Sequence, residues 1–234
     1  MCGITGVLIF DKKADYLLNR IDNAIASLQK RGPDSNGVYR HNNVAIGNTR
    51  LSIIDTSTLA TQPITDKSGR YTIVFNGEIF NYKELQKSLL DKGIELKSNS
   101  DTEVLLYLYI TEGTAFLDKL NGFFAFAIYD KEEQSLFIAR DRMGVKPLFI
   151  YQDEEKLIFG SEMKSLIAYG IPKEIDYVSL YNYFRLTYIP APYSIFKNVR
   201  KVGAGTYLEI KGKEIKENRY YSIPESSVNE SLSY

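Results

Sequence analysis

The sequence predicts an α+β fold of layered, largely antiparallel sheets. Two hairpins point to it. Apolar runs at 123–130 and 135–141 are joined by Lys131-Glu132-Glu133-Gln134, and runs at 148–151 and 157–161 flank a polar turn at 152–156. A tight hairpin joins only antiparallel strands, whereas parallel neighbours need a long crossover. The helical stretches fall in pairs between groups of strands instead of one after each strand, which argues against a doubly wound sheet.

Taken in order, residues 3–10 (GITGVLIF) are apolar and β-prone, a buried strand beginning almost at the first residue. Leu17, Leu18, Ile21, Ala24, Ile25 and Leu28 follow helical spacing, and Arg31-Gly32-Pro33 stops that helix. Segments 44–54 and 71–76 read as strands. Asn81 followed by Glu84 resembles a capping box opening a helix that Gly93 closes. Ser100 or Asp101 caps a further helix over 102–112, with Gly113 behind it. After the two hairpins, helices are predicted at 163–169 and 177–184 and a strand at 206–211. From about Ile171 the composition shifts towards Pro, Tyr and Lys, and from Pro224 it is polar and Ser-rich. The domain is therefore expected to span 2–211, with 212–234 a linker.

Composition narrows the class. The 234 residues suit one large domain or two small ones, and 44% apolar with 25% charged residues is an ordinary globular balance. Lys plus Arg (29) cancels Asp plus Glu (29), so a nucleic-acid partner, which requires excess positive charge, is not expected. No run approaches the roughly 18 apolar residues of a membrane span, and Met1-Cys2-Gly3-Ile4-Thr5-Gly6 does not read as a signal peptide. A cytoplasmic location without membrane attachment is the expectation. One Cys and one His exclude an internal disulfide and a Cys/His zinc site, and no metal is expected. His41, within Arg40-His41-Asn42-Asn43, reads as a solvated turn histidine.

A lone cysteine is ordinarily a small buried hydrophobe. Position 2 changes that reading, because removal of Met1 would leave Cys2 with a free α-amine. Amine and thiol then have ordinary pKa values of about 8 and 8.5, and the amine can act as base for the thiol of its own residue. Such a nucleophile works without histidine. Gly3 and Gly6 would leave room beside it.

Other segments then fall into place. MCGITG at 1–6, RGPD at 31–34, TRLSIID at 49–55, FNGEIFN at 75–81 and SDTEV at 100–104 resemble the class II glutamine amidotransferases. So do GFFAFAIYD at 122–130, RDRMGVKPL at 140–148 and SEMKSL at 161–166. Within that group TRLSIID and FNGEIFN resemble the asparagine synthetases. The resemblance covers roughly residues 2–200. It implies an N-terminal-nucleophile hydrolase fold: a four-layer αββα sandwich of two antiparallel sheets between helices.

It also implies a site. Cys2 would be the nucleophile on the amide of L-glutamine, and Arg50 would fork onto the substrate α-carboxylate, beside Leu51, Ser52, Ile53 and Ile54. Asn76 and Gly77 would form the oxyanion hole, and Glu78 and Asp101 would receive the ammonium. On the residues alone, Arg50 could equally be a surface arginine, Asn76-Gly77 a turn and Asp101 a helix cap. RGPD, RDRMGVKPL and SEMKSL read as scaffold, with Arg31 and Asp34 pairing or capping around the Gly-Pro turn. Arg140, Asp141 and Lys146 are expected to hold the domain or face a partner domain.

The resemblance implies no cofactor in this domain. It implies ATP and Mg for a C-terminal synthetase domain that amidates aspartate, and the sequence has neither a Ser-Gly-Gly-x-Asp-Ser loop nor a Gly-x-x-x-x-Gly-Lys-Ser/Thr loop. That domain of the same polypeptide is the expected partner, with a homodimer as a further expectation. Two other readings stand beside this one: a glutaminase domain serving another acceptor, in cell-surface sugar or peptide synthesis, and a non-catalytic docking or dimerisation module.

Overall fold

A computed structural model describes residues 2–52 and 57–223. Its first sheet contains β1 (Gly3–Ile9), β2 (Ser35–His41), β3 (Val44–Arg50), β8 (Phe149–Gln152), β9 (Lys156–Gly160) and β10 (Val199–Lys201), in the order β10-β8-β9-β1-β3-β2. The second contains β4 (Ile64–Thr65), β5 (Tyr71–Ile79), β6 (Gly122–Asp130), β7 (Ser135–Arg140), β11 (Thr206–Lys211) and β12 (Glu214–Arg219), in the order β12-β11-β7-β6-β5-β4. Neighbouring strands in both sheets run antiparallel. Helices α1 (Ile21–Ser27) and α4 (Met163–Ala168) cover the outside of the first sheet. Helices α2 (Tyr82–Asp91) and α3 (Asp101–Glu112) cover the outside of the second. A further helix, α5 (Tyr177–Leu186), follows α4. The four-layer sandwich is the fold the sequence predicted.

Side-chain alternation builds the layers. On β1, Ile4 and Leu8 face the second sheet while Val7 and Ile9 face α1 and α4. On β6, Ala125, Ala127 and Tyr129 face the first sheet, while Phe124, Phe126 and Ile128 pack under α3. Both faces of these central strands are covered. They therefore read as unbroken apolar runs, and all seven residues of β1 are buried.

Several expectations are corrected. Strand β2 went unread because Ser-Asn-Gly and Arg-His interrupt any apolar pattern; it is a half-exposed edge strand paired along β3. His41 ends it, half-buried, with Nδ1 3.1 Å from Tyr129 Oη, and is not a free turn residue. Burial, and then the charge of Lys131, lower its pKa. The first helical stretch divides into 3-10 turns over Lys12–Arg20 and an α-helix from Ile21. The strand expected at 44–54 stops at Arg50. Asn81 does not form a capping box: its side chain donates to Lys119 O at 3.0 Å and accepts from Asn121 N at 3.1 Å. The domain does not end at 211, because β12 pairs with β11 from Thr206–Arg219 to Lys211–Glu214. Its sequence, EIKENR, is charged because it is an exposed edge, the usual protection for such a strand.

Candidate active site

One end of the space between the sheets is polar. On β3 the alternation that turns Val44 and Ile46 inward continues through Asn48 to Arg50. On β5 it continues from Val74 to Asn76 and Glu78, and it carries Cys2 inward just ahead of β1. Cys2, Arg50, Leu51, Asn76, Gly77, Glu78 and Asp101 line a single cavity there. Seven of the ten residues singled out from the sequence thus come together. Ser52 lies beside them but uses its backbone N–H on Asp34 Oδ2, at 2.8 Å, and does not line the cavity. Ile53 and Ile54 lie outside the described residues.

The Cys2 side chain is half-buried, with Sγ 3.7 Å from the Leu51 carbonyl. Arg50 is buried and donates from Nη1 to Ser57 O at 3.2 Å. Asn76 is buried, yet neither Nδ2 nor Oδ1 of its amide has a hydrogen-bond partner among the described residues. An unsatisfied buried amide costs about 1–3 kcal/mol, so such a group stands out. Gly77 sits inside β5, opposite Phe124, and is no turn. A Cβ at Gly77 would lie 2.4 Å from Phe123 O and 2.8 Å from Phe124 Cα, so only glycine fits there.

Ser100, not Asp101, caps α3, accepting from Thr102 N at 3.2 Å. Asp101 is left to tie the helix to β5: its Oδ2 accepts from Ile79 N at 3.1 Å. Burial pushes its carboxyl up to about 6, against the lowering effect of the Ile79 and Thr102 N–H groups, and Glu78 adds to the rise. The cavity therefore offers a thiol, a fork of cationic donors, a neutral amide and an electrostatically strained carboxylate.

Gln62 and Lys146 are among the further lining residues that the sequence reading did not assign to the site. Gln62 is buried; its Oε1 accepts from Phe75 N at 2.6 Å and its Nε2 donates to Thr102 Oγ1 at 3.2 Å, tying β5 to α3 beside Asn76. Nothing in Thr61-Gln62-Pro63 marks it, since a polar residue before proline reads as loop. Lys146, read as scaffold, also lines the cavity. The loop before it is held from within. Asp141, fully buried, accepts from the N–H groups of Phe124, Met143, Val145 and Lys146, and Arg140 donates to the carbonyls of Gly144, Lys146 and Val202.

The RGPD loop packs on β3 rather than pairing with itself. A Cβ on Gly32 would meet the Thr49–Arg50 peptide at 2.3–2.4 Å. Asp34 reaches Ser52, and Arg31 pairs with Glu162 at 2.9 Å, so the expected Arg31–Asp34 pairing does not form. Gly3 and Gly6 do not open space for the thiol either. Their missing side chains make room for Thr49 and for the ring of Phe159.

The chain is similar to known proteins over most of its length. The family model described as a glutamine amidotransferase domain matches residues 1–221. "Asparagine synthetase [glutamine-hydrolyzing] 3" of Bacillus subtilis is 37% identical over 227 residues, covering 95% of this chain and 37% of that protein. "Amidase chry2" of Gibberella zeae is 32% identical over 232 residues, covering 94% of this chain and 34% of that protein. The chain thus spans little more than a third of the length of either relative. Among solved structures, the glutamine phosphoribosylpyrophosphate amidotransferase of B. subtilis superimposes with a TM-score of 0.71 at 20% identity, over 94% of this chain and 49% of that one, a likeness of fold. The chain belongs to the glutamine amidotransferase domain family, class II.

Proposed function

We propose that this chain is the glutaminase half of a glutamine-dependent asparagine synthetase, releasing ammonia for an ATP-dependent synthetase domain that follows it. The observation that carries the reading is one cavity holding the Cys2 thiol, the Asn76 amide, which has no partner among the described residues, Arg50 and Asp101. L-Glutamine brings a complement to each group: a side-chain amide for Cys2, an oxygen for Asn76, a carboxylate for Arg50 and an ammonium for Asp101.

With Met1 removed, the α-amine of Cys2 takes the thiol proton and the sulfur attacks the glutamine side-chain carbonyl. A C–S bond forms, and the negative charge gathers on oxygen, facing donors from Asn76 Nδ2 and the Gly77 N–H. Fixed donors at such a position contribute about 3–4 kcal/mol each to the transition state. The C–N bond then breaks as the ammonium on Cys2 returns its proton to the departing ammonia. Water cleaves the thioester, giving glutamate and the free thiol. Arg50 binds the α-carboxylate as a two-pronged donor. Asp101, with Glu78 near it, pairs with the substrate ammonium, and that positive charge relieves the burial that raises the Asp101 pKa.

The identity of the acceptor rests on the asparagine synthetases among the relatives. A second reading, an amide-forming enzyme with another acceptor, is favoured by the similarity to "Amidase chry2". The test is glutamate release from L-glutamine by protein whose N-terminal residue is Cys2, against a Cys2→Ala variant. An equally active variant overturns the mechanism. Product analysis of the full-length polypeptide with ATP and aspartate decides between the acceptors.

A further inference from the structure

Two of the three motifs read as scaffold, RGPD and SEMKSL, meet on the main chain of residues 2–4. Arg31 Nε donates to the carbonyl of Cys2 at 2.8 Å, and its Nη1 donates to Glu162 Oε1 at 2.9 Å. Glu162 also takes Lys164 Nζ on Oε2 at 2.6 Å. Burial pushes the Glu162 carboxyl up, but the Lys164 and Arg31 bonds outweigh it and hold its pKa below the ordinary value. Ser161, fully buried, accepts from Ile4 N on Oγ at 3.0 Å and donates its N–H to Ile4 O at 2.9 Å.

A residue at the start of a chain has a covalent neighbour on one side only, and chain starts fray unless tied down. Reorientation of the peptide plane that follows it would carry its Cα, and with it amine and thiol, away from the oxyanion donors. A fixed carbonyl pins that plane and the place of the Cα. The Arg31 fork makes the bond, and its charged partner holds the fork in place.

We propose that Arg31 and Glu162 are positioning residues for the nucleophile, acting through the Cys2 carbonyl to hold its thiol and amine in the attacking orientation. The proposal rests on reading Cys2 as the nucleophile. A purely structural role predicts something different: loss of this partly buried ion pair would lower the melting temperature and leave turnover of the folded protein unchanged.

Glu162→Gln is the first variant to test, because it keeps the side-chain shape and one acceptor while removing the charge. Intact mass confirms that Met1 is removed. In glutamine hydrolysis, kcat is expected to fall about tenfold, the scale of a small misplacement, with KM within about twofold of wild type and an unchanged melting temperature. Arg31→Ala is expected to lower kcat about a hundredfold, and Arg31→Lys not to restore it, since an ammonium cannot span both acceptors. Lys164→Ala, which leaves the Arg31–Glu162 pair, should turn over like wild type. The rate of Cys2 alkylation by iodoacetamide is measured alongside and should fall in Glu162→Gln. Wild-type kcat and alkylation in Glu162→Gln overturn the proposal, as does a kcat loss matched by Lys164→Ala. If the wild-type protein does not hydrolyse glutamine, the functional reading fails, while the alkylation ratio still decides whether the pair positions the thiol.

Discussion

At one end of the space between the sheets, Leu8, Val44, Tyr129, Leu136 and Leu157 fill a dry, close-packed layer. At the other end the same inward alternation delivers Cys2, Asn48, Arg50, Asn76 and Glu78, and the layer opens into the cavity. The backbone is alike at both ends. What differs is that the apolar end gains free energy from its inward side chains, whereas the polar end includes the Asn76 amide, without a partner among the described residues, and a carboxyl pushed up to about 6 by burial. Stability is drawn from one end, and chemical readiness is kept at the other at some cost to stability.

That contrast is open to direct attack. Cys2→Ala should abolish glutamate release while leaving the thermal melt unchanged, because the thiol is half-buried and packs little; residual turnover at wild-type rate would remove the nucleophile from the account. Asn76→Ala should lower kcat about 10²–10³-fold and cost little stability, since its amide has no partner among the described residues to lose. Steady-state kinetics with a urea titration check both halves. At the apolar end, Phe159→Ala should behave in the opposite way. It removes a fully buried ring packed against Gly6, at a cost of about 3–5 kcal/mol in unfolding free energy, with KM for glutamine unchanged in the folded fraction.

The smallest effect is a pH dependence. Because the Asp101 pKa is raised to about 6, its carboxyl is protonated in the free protein below that pH, and kcat/KM should fall up to tenfold per pH unit there. The sign on stability is the reverse of the usual acid. The folded protein holds this proton more tightly than the unfolded chain, so the Asp101 contribution to stability falls as pH rises from about 4 to about 6. Asp101→Asn should flatten both dependences, and its urea midpoints at pH 4.5 and 7 should lie closer together than those of wild type.

Legibility followed burial. Strands β1, β6 and β7 were readable because both of their faces are apolar, and the hairpin between β6 and β7 announced itself by its charged turn. Edge strands β2 and β12 were not, since one partner and a wet face leave only half a pattern. In the site, Cys2, Arg50, Asn76, Gly77 and Asp101 stood out through their motifs. Gln62 did not, because its role is to satisfy Phe75 N and Thr102, a task visible only once β5 and α3 are side by side.

The sequence by itself determined the layered antiparallel class, the thiol at position 2 and the chemical kinds of group around it, because alternation and residue chemistry are local properties. The tertiary structure alone decided that Asn76-Gly77 is a strand and not a turn, that Asp101 faces the cavity while Ser100 caps, and that Arg31, paired with Glu162, meets the Cys2 carbonyl. These depend on which backbone lies within about 3 Å of which side chain, and segments more than a hundred residues apart reach that distance only when strands distant in sequence pair and the layers assemble.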